Sequence, residues 1–355
     1  DYIVDYNFAK GTAIIKSIGT KKIDGTVAAS YLEVDFDGID ADTIVGGVTA
    51  SGEYSGFGAL QLLYQEYYQV CNLLMAPGWS HIPQVYNAML TAAEQINGHW
   101  DAFVLADIPL EREENEGTVA IQTIDEAKDW KKQNGYNSER SKVFWPMGKD
   151  NGGKIYHLST LAAVELMRID YTHASIPFET CGNKQIPVVK QYFGESSKNR
   201  GFDQITSKEL TSNGISTCVF WGGNWVLWGD HTAAYTYGAD VDPRAIFDVS
   251  MRMLFHITNS FQREWGITID KPFTKQLRDR IINREQEKLD ALVAQGALIG
   301  NPTVLFLESN NSTEDMMNGD FRWDIPITPT PPLKSATVYV AYTDEGFLAY
   351  FGEEG

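Results

Sequence analysis

Gly214-Ile-Ser-Thr-Cys-Val-Phe-Trp-Gly-Gly-Asn-Trp-Val-Leu-Trp-Gly-Asp-His-Thr232 holds Trp221, Trp225 and Trp228, a third of the nine tryptophans in the chain. Two short runs of β-forming residues, 218–221 and 225–228, flank Gly222-Gly223-Asn224. Glycine and asparagine accept positive φ, so this trio predicts a hairpin turn. So much aromatic surface on one hairpin is expected to be buried, which makes the stretch a core hairpin rather than a catalytic one. No nucleophile, metal-ligand set or phosphate loop accompanies it.

Working back from the hairpin, apolar runs at 71–76, 102–106 and 143–145 read as buried strands. Between and around them, 3–4 spacing of apolar residues predicts helices. One covers 56–68, one runs from Pro83 to Gly98, one is capped by Thr123 and ends at Gly135, and one covers 158–171. Strand and helix alternate, so the pattern predicts βαβ crossovers and a parallel sheet, an α/β domain over 49–235 that ends in the hairpin. Residues 1–48 read as a β-rich segment, through Ile3, Val4, 13–15, Val27 and 31–36. Residues 236–355 predict a C-terminal α+β domain. Its helices span 242–266, opened by Asp242-Pro243, and 274–295. Its short strands lie at 303–307, 321–327 and 337–342, and Thr328-Pro-Thr-Pro-Pro-Leu333 forms a stiff extended linker. The fold class is therefore multidomain α/β and α+β.

A chain of 355 residues, 43% hydrophobic and 21% charged, is too long for one ordinary core and too apolar to be disordered. No apolar run approaches the roughly 18–20 residues that span a membrane, and no signal peptide is visible. The chain begins at Asp1 without a methionine, so it is expected to be a fragment or a processed form. Twenty-nine basic against 47 acidic residues give −18, which argues against general nucleic-acid binding. Cys71, Cys181 and Cys218 are odd in number and widely spaced, and read as free, buried thiols of a reducing compartment.

Glycines at 46, 47, 52 and 56 sit between an apolar run and a helix, as in a dinucleotide-binding turn. Their spacing is not Gly-x-Gly-x-x-Gly and no Gly-Lys-Ser/Thr comes after them, which favours a plain turn feeding a helix. His81, His99, His157, His173, His231 and His256 show no His-x-x-x-His spacing and no nearby cysteine, so no metal is expected from the pattern. Asp230-His231-Thr232 could supply a base, but lacks any nucleophile context; an orienting hydrogen bond is the expected role. The acidic run 111–116 reads as a solvated loop. Lys271, Lys275 and Arg278 have i, i+4, i+7 spacing and are expected on one helix face, either solvated or facing an acidic partner. No catalytic, cofactor-binding or metal-binding residue is assigned.

Three segments together resemble the contractile phage tail sheath family over roughly 40–355. The first is Ile44-Val-Gly-Gly-Val-Thr-Ala-Ser-Gly-Glu-Tyr-Ser-Gly-Phe57, leading to Leu73-Leu-Met-Ala-Pro-Gly-Trp-Ser-His81. The second is Leu210-Thr-Ser-Asn-Gly-Ile-Ser216, then Trp225-Val-Leu-Trp-Gly-Asp-His-Thr232, with His231 where the family commonly has arginine. The third runs from Trp265 through Asp270-Lys-Pro-Phe273 to Pro329 and the final strands. On this resemblance the family's upstream portion is expected to be short or missing here.

The resemblance implies a non-enzymatic, prophage-type virion protein, assembled in the bacterial host cytoplasm. It implies six-fold rings in a helical array around an inner tail tube, capped by baseplate and terminator proteins. It implies contraction that drives the tube through a bacterial envelope, with no cofactor, no nucleic acid and no membrane insertion. Terminal arms of the family add strands to a neighbour's sheet. Here 337–342, with Val338, Val340 and Tyr342, either completes its own domain or pairs in trans, with Phe347 and Tyr350 as anchors. Lys271, Lys275 and Arg278 become tube-facing candidates. The competing readings are an α/β nucleotide-binding enzyme using the turn at 46–56, and the sheath of a bacteriocin or secretion machine.

Overall fold

The computed structural model describes residues 2–7, 12–20, 38–114 and 117–351. They fall into two compact units, Asp1–Asp40 and Ala41–Gly355. In the first, β1 (Tyr2–Asn7) and β2 (Thr12–Ser17) pair antiparallel, Val4 opposite Ile15, with Lys16 bonded to Asp5 at 2.9 Å across the strands. Tyr2, Ile3 and Ile14 are exposed. Of the other β readings in this segment, Val27 and 31–36 lie outside the described residues.

The larger unit opens with α1 (Ala41–Val45) and a tight antiparallel pair, β3 (Gly46–Val48) and β4 (Tyr54–Gly56), which a 3-10 turn joins to α2 (Leu60–Tyr67). Ile44, Val45, Phe57 and Leu60 pack on the sheet's first core, so residues 41–48 fold with the α/β region rather than with the N-terminal strands. Gly46 and Gly56 face each other with φ of +55° and +49°. A Cβ on Gly46 would stand 2.2 Å from the Ser55 carbonyl oxygen, and one on Gly56 2.4 Å from that of Ile44. The glycines are there because backbone meets backbone.

Next come β5 (Leu73–Met75), α3 (Pro83–Ala92), β6 (Phe103–Asp107), the hairpin β7 (Glu111–Glu114) with β8 (Gly117–Ala120), α4 (Ile124–Gln133) and β9 (Ser141–Phe144). The acidic run is thus strand-paired up to residue 114; residues 115 and 116 lie outside the described set. Thr123 and Glu126 form a full capping box on α4. The expected helix from Pro83 stops at Ala92, six residues before Gly98; Gln95 and Asn97 take positive φ, and the chain closes an Ile96–Trp100 bridge instead.

A small antiparallel sheet comes after β9, with β10 (Met147–Lys149) between β11 (Ile155–Tyr156) and β12 (Lys190–Tyr192), around α5 (Leu158–Thr172). α6 (Lys208–Thr211) precedes β13 (Ile215–Trp221) and β14 (Asn224–Trp228). The main sheet has the order β14-β13-β9-β6-β5. Its first four strands in sequence are parallel, and β14 returns antiparallel. Every residue of β6 is buried, as a strand covered on both faces requires. Val104 and Ala106 face a core containing Val85, Met89 and Trp130 of α3 and α4; Phe103 and Leu105 face another containing Leu161 and Leu166 of α5.

The tryptophan hairpin forms with Trp221 opposite Asn224 and with Gly222 and Gly223 at φ of +58° and +87°. The expectation of a wholly buried hairpin needs correction. Residues 215–219 are buried, but Phe220 and Trp221 at the tip are 58% and 48% exposed. They meet aromatic rings across the strands instead, Phe220 edge-on to Trp225 at 6.0 Å and Trp221 tilted against Trp228 at 6.1 Å.

Beyond the hairpin lie α7 (Asp248–Trp265), α8 (Lys275–Ala294), α9 (Thr313–Asn318) and α10 (Glu345–Phe351). Asp242-Pro243 opens a separate 3-10 turn, and α7 proper begins at Asp248. Met251 and Phe255 of α7 enter the α5 core, while Met253 joins Leu289 and Leu292 of α8 in a third core. The α+β reading of this region fails on its strands. Among the described residues, 303–307 and 321–327 meet through a single bridge, Leu305 with Asp324, and 337–342 pairs with nothing. Side-chain amides satisfy the backbone instead. Gln286 donates to the Pro302 carbonyl and accepts from Val304 N–H; Asn311 donates to Leu307 and Arg322 carbonyls and accepts from Arg322 N–H.

Lys142 of β9 and Asp248 of α7 form a fully buried ion pair at 2.5 Å. Lys142 also donates to the Gly229 carbonyl at 2.9 Å, and Asp248 accepts from Thr180 Oγ1 at 3.0 Å and Val249 N–H at 2.7 Å. Burial works against the charged lysine, but Asp248 outweighs it and the pKa stands above the ordinary lysine value.

Two stability outcomes are expected. Gly56→Ala sets a methyl against the Ile44 carbonyl and should cost about 2–4 kcal/mol in denaturant unfolding. An unchanged midpoint would show that β3 and β4 relax freely. Asp248→Asn leaves the Lys142 charge buried without a carboxylate and should cost about 3–5 kcal/mol; a loss below about 1 kcal/mol would mean that the ammonium finds water.

Candidate functional site

The described features best suited to a partner lie at the C-terminal end. Thr330 is the clamp: its N–H donates to the Ala297 carbonyl at 3.1 Å and its hydroxyl to that of Gly296 at 2.7 Å. The prolines at 329, 331 and 332 stiffen the exit. From Leu333 to Phe347 every residue is exposed. Val338 and Val340 are 82% and 83% exposed, and Tyr339 and Tyr342 are as open. This is β-prone sequence with no ladder within the chain, among the described residues. Phe347 and Tyr350 lie on the short α10, where Phe347 stacks on Phe351 and Tyr350 meets Phe351 edge-on at 4.8 Å. The five expected arm residues therefore lie along one continuous exposed tail, three on the extended part and two on the helix.

The basic trio is not one helix face. α8 starts at Lys275, capped by the Thr274 hydroxyl, so Lys271 lies in the preceding turn, after Asp270 at φ +64°. Arg278 is drawn inward: it bonds Asp279 at 2.7 Å and lies over the Phe306 ring. Lys271 and Lys275 are exposed. The i, i+4, i+7 spacing could not reveal this, because it presumed a helix one turn longer.

Two clefts were not legible in sequence. One, of about 570 Å³, opens beyond the carboxyl end of β6 and is lined by His81, Asp107, His157 and Tyr192. Its chemistry is structural. Asp107 takes the Ser159 N–H at 3.1 Å and the Ser159 hydroxyl at 2.5 Å, anchoring the first turn of α5. Burial, then the neighbouring His157, holds the His81 pKa below its ordinary value. Among the described residues no three His, Cys, Asp or Glu side chains converge as a metal site. The other cleft, about 640 Å³ between α7 and α8, holds His256, Arg263, Glu264, Glu285 and Lys288. Lys288 bridges Glu264 and Glu285, and Trp265 Nε1 donates to Glu285 at 2.6 Å.

The remaining candidates resolve into packing. In the glycine turn at 46–56, Gly46 and Gly56 press against their own backbone, while Gly47 and Gly52 face open space. His231 lies between Tyr235 and Phe247, with Nδ1 2.9 Å from the Ile246 carbonyl, an orienting role. Cys71 and Cys218 are free thiols whose burial pushes them up to about 11 and about 12.

No protein-family model matches the chain. It is 25% identical to the tail sheath protein of Burkholderia phage BcepMu, across 99% of this chain and 72% of that protein. It is 23% identical to the major tail sheath protein of Serratia phage KSP20, across 97% and 81%. Its fold is similar to a chain of an extracellular contractile injection system, the PVC sheath complex in the contracted state (TM-score 0.60, 17% identity, 86% of this chain and 79% of that one). It is also similar to one in the baseplate of the anti-feeding prophage (TM-score 0.59, 16% identity, 81% and 72%). In sequence and in fold the chain is thus similar to contractile tail sheath proteins.

The α7–α8 cleft makes a pH prediction. Burial, with Arg263, Arg252 and Lys288 around it, holds His256 down to about 4 against an ordinary 6.5. The unfolded chain takes up this proton first as pH falls, so stability should drop between about pH 6.5 and 4, by up to about 3 kcal/mol. His256→Gln should flatten that limb in urea titrations at stepped pH; parallel limbs would assign the loss to other groups.

Proposed function

We propose that this chain polymerises into six-fold rings stacked helically around an inner tube and contracts to drive that tube through a bacterial envelope. The observation that carries this reading is the unpaired tail. Among the described residues, Val338, Val340 and Tyr342 have no ladder partner within the chain and stand open to solvent, and strand addition to a neighbour's sheet would give them one. Open helical arrays need two different complementary surfaces, and a strand donated to a distant edge is one such contact. Phe347 and Tyr350 would anchor the donated segment.

Contraction in this reading is a rigid-body repacking of subunits, with the energy stored at assembly, and uses no nucleotide. Lys271, Lys275 and Arg278 are the proposed approach to the tube. Lys271 and Lys275 carry the exposed charge, and Arg278 braces the turn from Phe306. Baseplate and terminator contacts belong to the same reading, as does assembly in the host cytoplasm. The phage, bacteriocin and secretion versions of the machine would use the same subunit chemistry.

Electron microscopy of the purified chain tests the reading. Tubes or stacked rings are expected. Val338→Pro with Val340→Pro removes two ladder donors from fully exposed positions and should abolish tubes without moving Tm. Tubes of normal length from the double variant would sink the strand-donation reading. Lys271→Glu with Lys275→Glu should prevent co-assembly with tube protein while leaving sheath-only polymers intact; unchanged co-assembly would remove these residues from the tube contact.

A further inference from the structure

Past the Thr330 clamp, one side chain of the tail returns to the body. Lys334 bonds Asp230, whose carboxylate is nine-tenths buried. Among the described residues this is the last bond between tail and body; later bonds, at Glu345, Phe347 and the aromatic contacts of α10, lie within the tail itself. Asp230 is not a surface acid that happened to be nearby. It comes two residues after β14, its carbonyl accepts the Asp248 N–H at 3.1 Å, and its carboxylate lies 3.6 Å from His231 Nε2, with the buried Lys142 also acting on it. A buried carboxylate without a cation is costly, so Asp230 has reason to hold Lys334.

We propose that the Lys334–Asp230 pair is a latch that fixes the direction in which the C-terminal arm leaves its subunit, and so preorients the arm toward a second copy of this chain. Thr330 alone fixes a point of exit. Two polyproline residues and a second bond four residues later fix a direction, because the segment between them has little freedom to lose. Lys334 is then a positioning residue: it touches no partner, and acts by reducing the volume that the donated strand must search.

The pair has a built-in competitor. His231 faces Asp230, Lys334, Lys142, the Tyr235 ring and the Ile246 carbonyl. Burial is the main force holding the His231 pKa below its ordinary value; Asp230 opposes it, and Lys334 and Lys142 reinforce it. When Lys334 departs, its positive charge no longer opposes protonation of His231, which becomes easier to protonate. Latch opening therefore leaves a spectroscopic trace on a residue outside the arm.

The consequence for assembly rests on the sheath reading above; the latch itself does not. The test uses the full chain with Cys71→Ser and spin labels at Tyr339→Cys and Tyr171→Cys, both exposed. The parent should give a narrow distance distribution, Lys334→Met a broad one, and Lys334→Arg a narrow one again. Asp230→Asn should broaden it as Lys334→Met does. In proton NMR titrations the His231 pKa should rise in Lys334→Met and return in Lys334→Arg. Equal distributions in the parent and Lys334→Met, or a His231 titration that does not move, would overturn the latch. In microscopy, Lys334→Met should polymerise about tenfold more slowly than the parent, the scale of one charge-assisted hydrogen bond. If the parent itself forms no polymer even with tube protein, the sheath reading falls, while the distance and titration data still decide the latch.

Discussion

Lys142, on the central strand of the main sheet, carries its charge to a place water does not reach, and Asp248 is there to meet it. The pair links four segments at once: β9, the first residue of α7, the loop at Thr180 and the end of β14 through the Gly229 carbonyl. A pair of this kind adds little net stability over apolar residues of the same volume. What it does here is specify how α7 lies on the sheet, since any other seating leaves two buried charges apart. The hydrophobic contacts of Met251 and Phe255 could be met in several ways; the ion pair is met in one.

That seating sets the rest of the C-terminal region. α7 belongs to two cores, so the position of α8 on its other side is referenced to the sheet. The loop after α8 clamps Thr330, and the arm departs from there. A chain of rigid contacts thus runs from the centre of the sheet to the root of a tail that is itself unpartnered.

The tail also carries a hazard. Thr337-Val-Tyr-Val-Ala-Tyr342 is β-prone, uncharged and wholly exposed, the composition that pairs with any open strand edge. The acidic pair Asp344 and Glu345 comes directly after it, and the chain as a whole carries −18. Mutual repulsion between copies opposes indiscriminate pairing, so that geometry, not stickiness, selects the productive contact.

Local pattern was legible wherever a short stretch decides its own conformation. The apolar run at 102–106 is written in consecutive residues, and the cap at Thr123 and the turn at Gly222-Gly223 are answered by neighbours a few residues away. So the parallel strands and the hairpin turn were legible from sequence alone, while the end of the helix from Pro83 and the start of α7 were not. What the chain's order of residues could not reveal was decided by partners far along it. Phe220 and Trp221 are exposed because no segment covers the hairpin tip. The strands expected at 303–307 and 321–327 give way to side-chain amides of Gln286 and Asn311. Arg278 turns to Phe306 rather than joining Lys271 and Lys275. Lys142 finds Asp248 across 106 positions, and Lys334 finds Asp230 across 104. Periodicity and capping are short-range and are written in the sequence; the pairing of buried charges and the choice of which aromatic faces stay open depend on distances that only the folded chain creates.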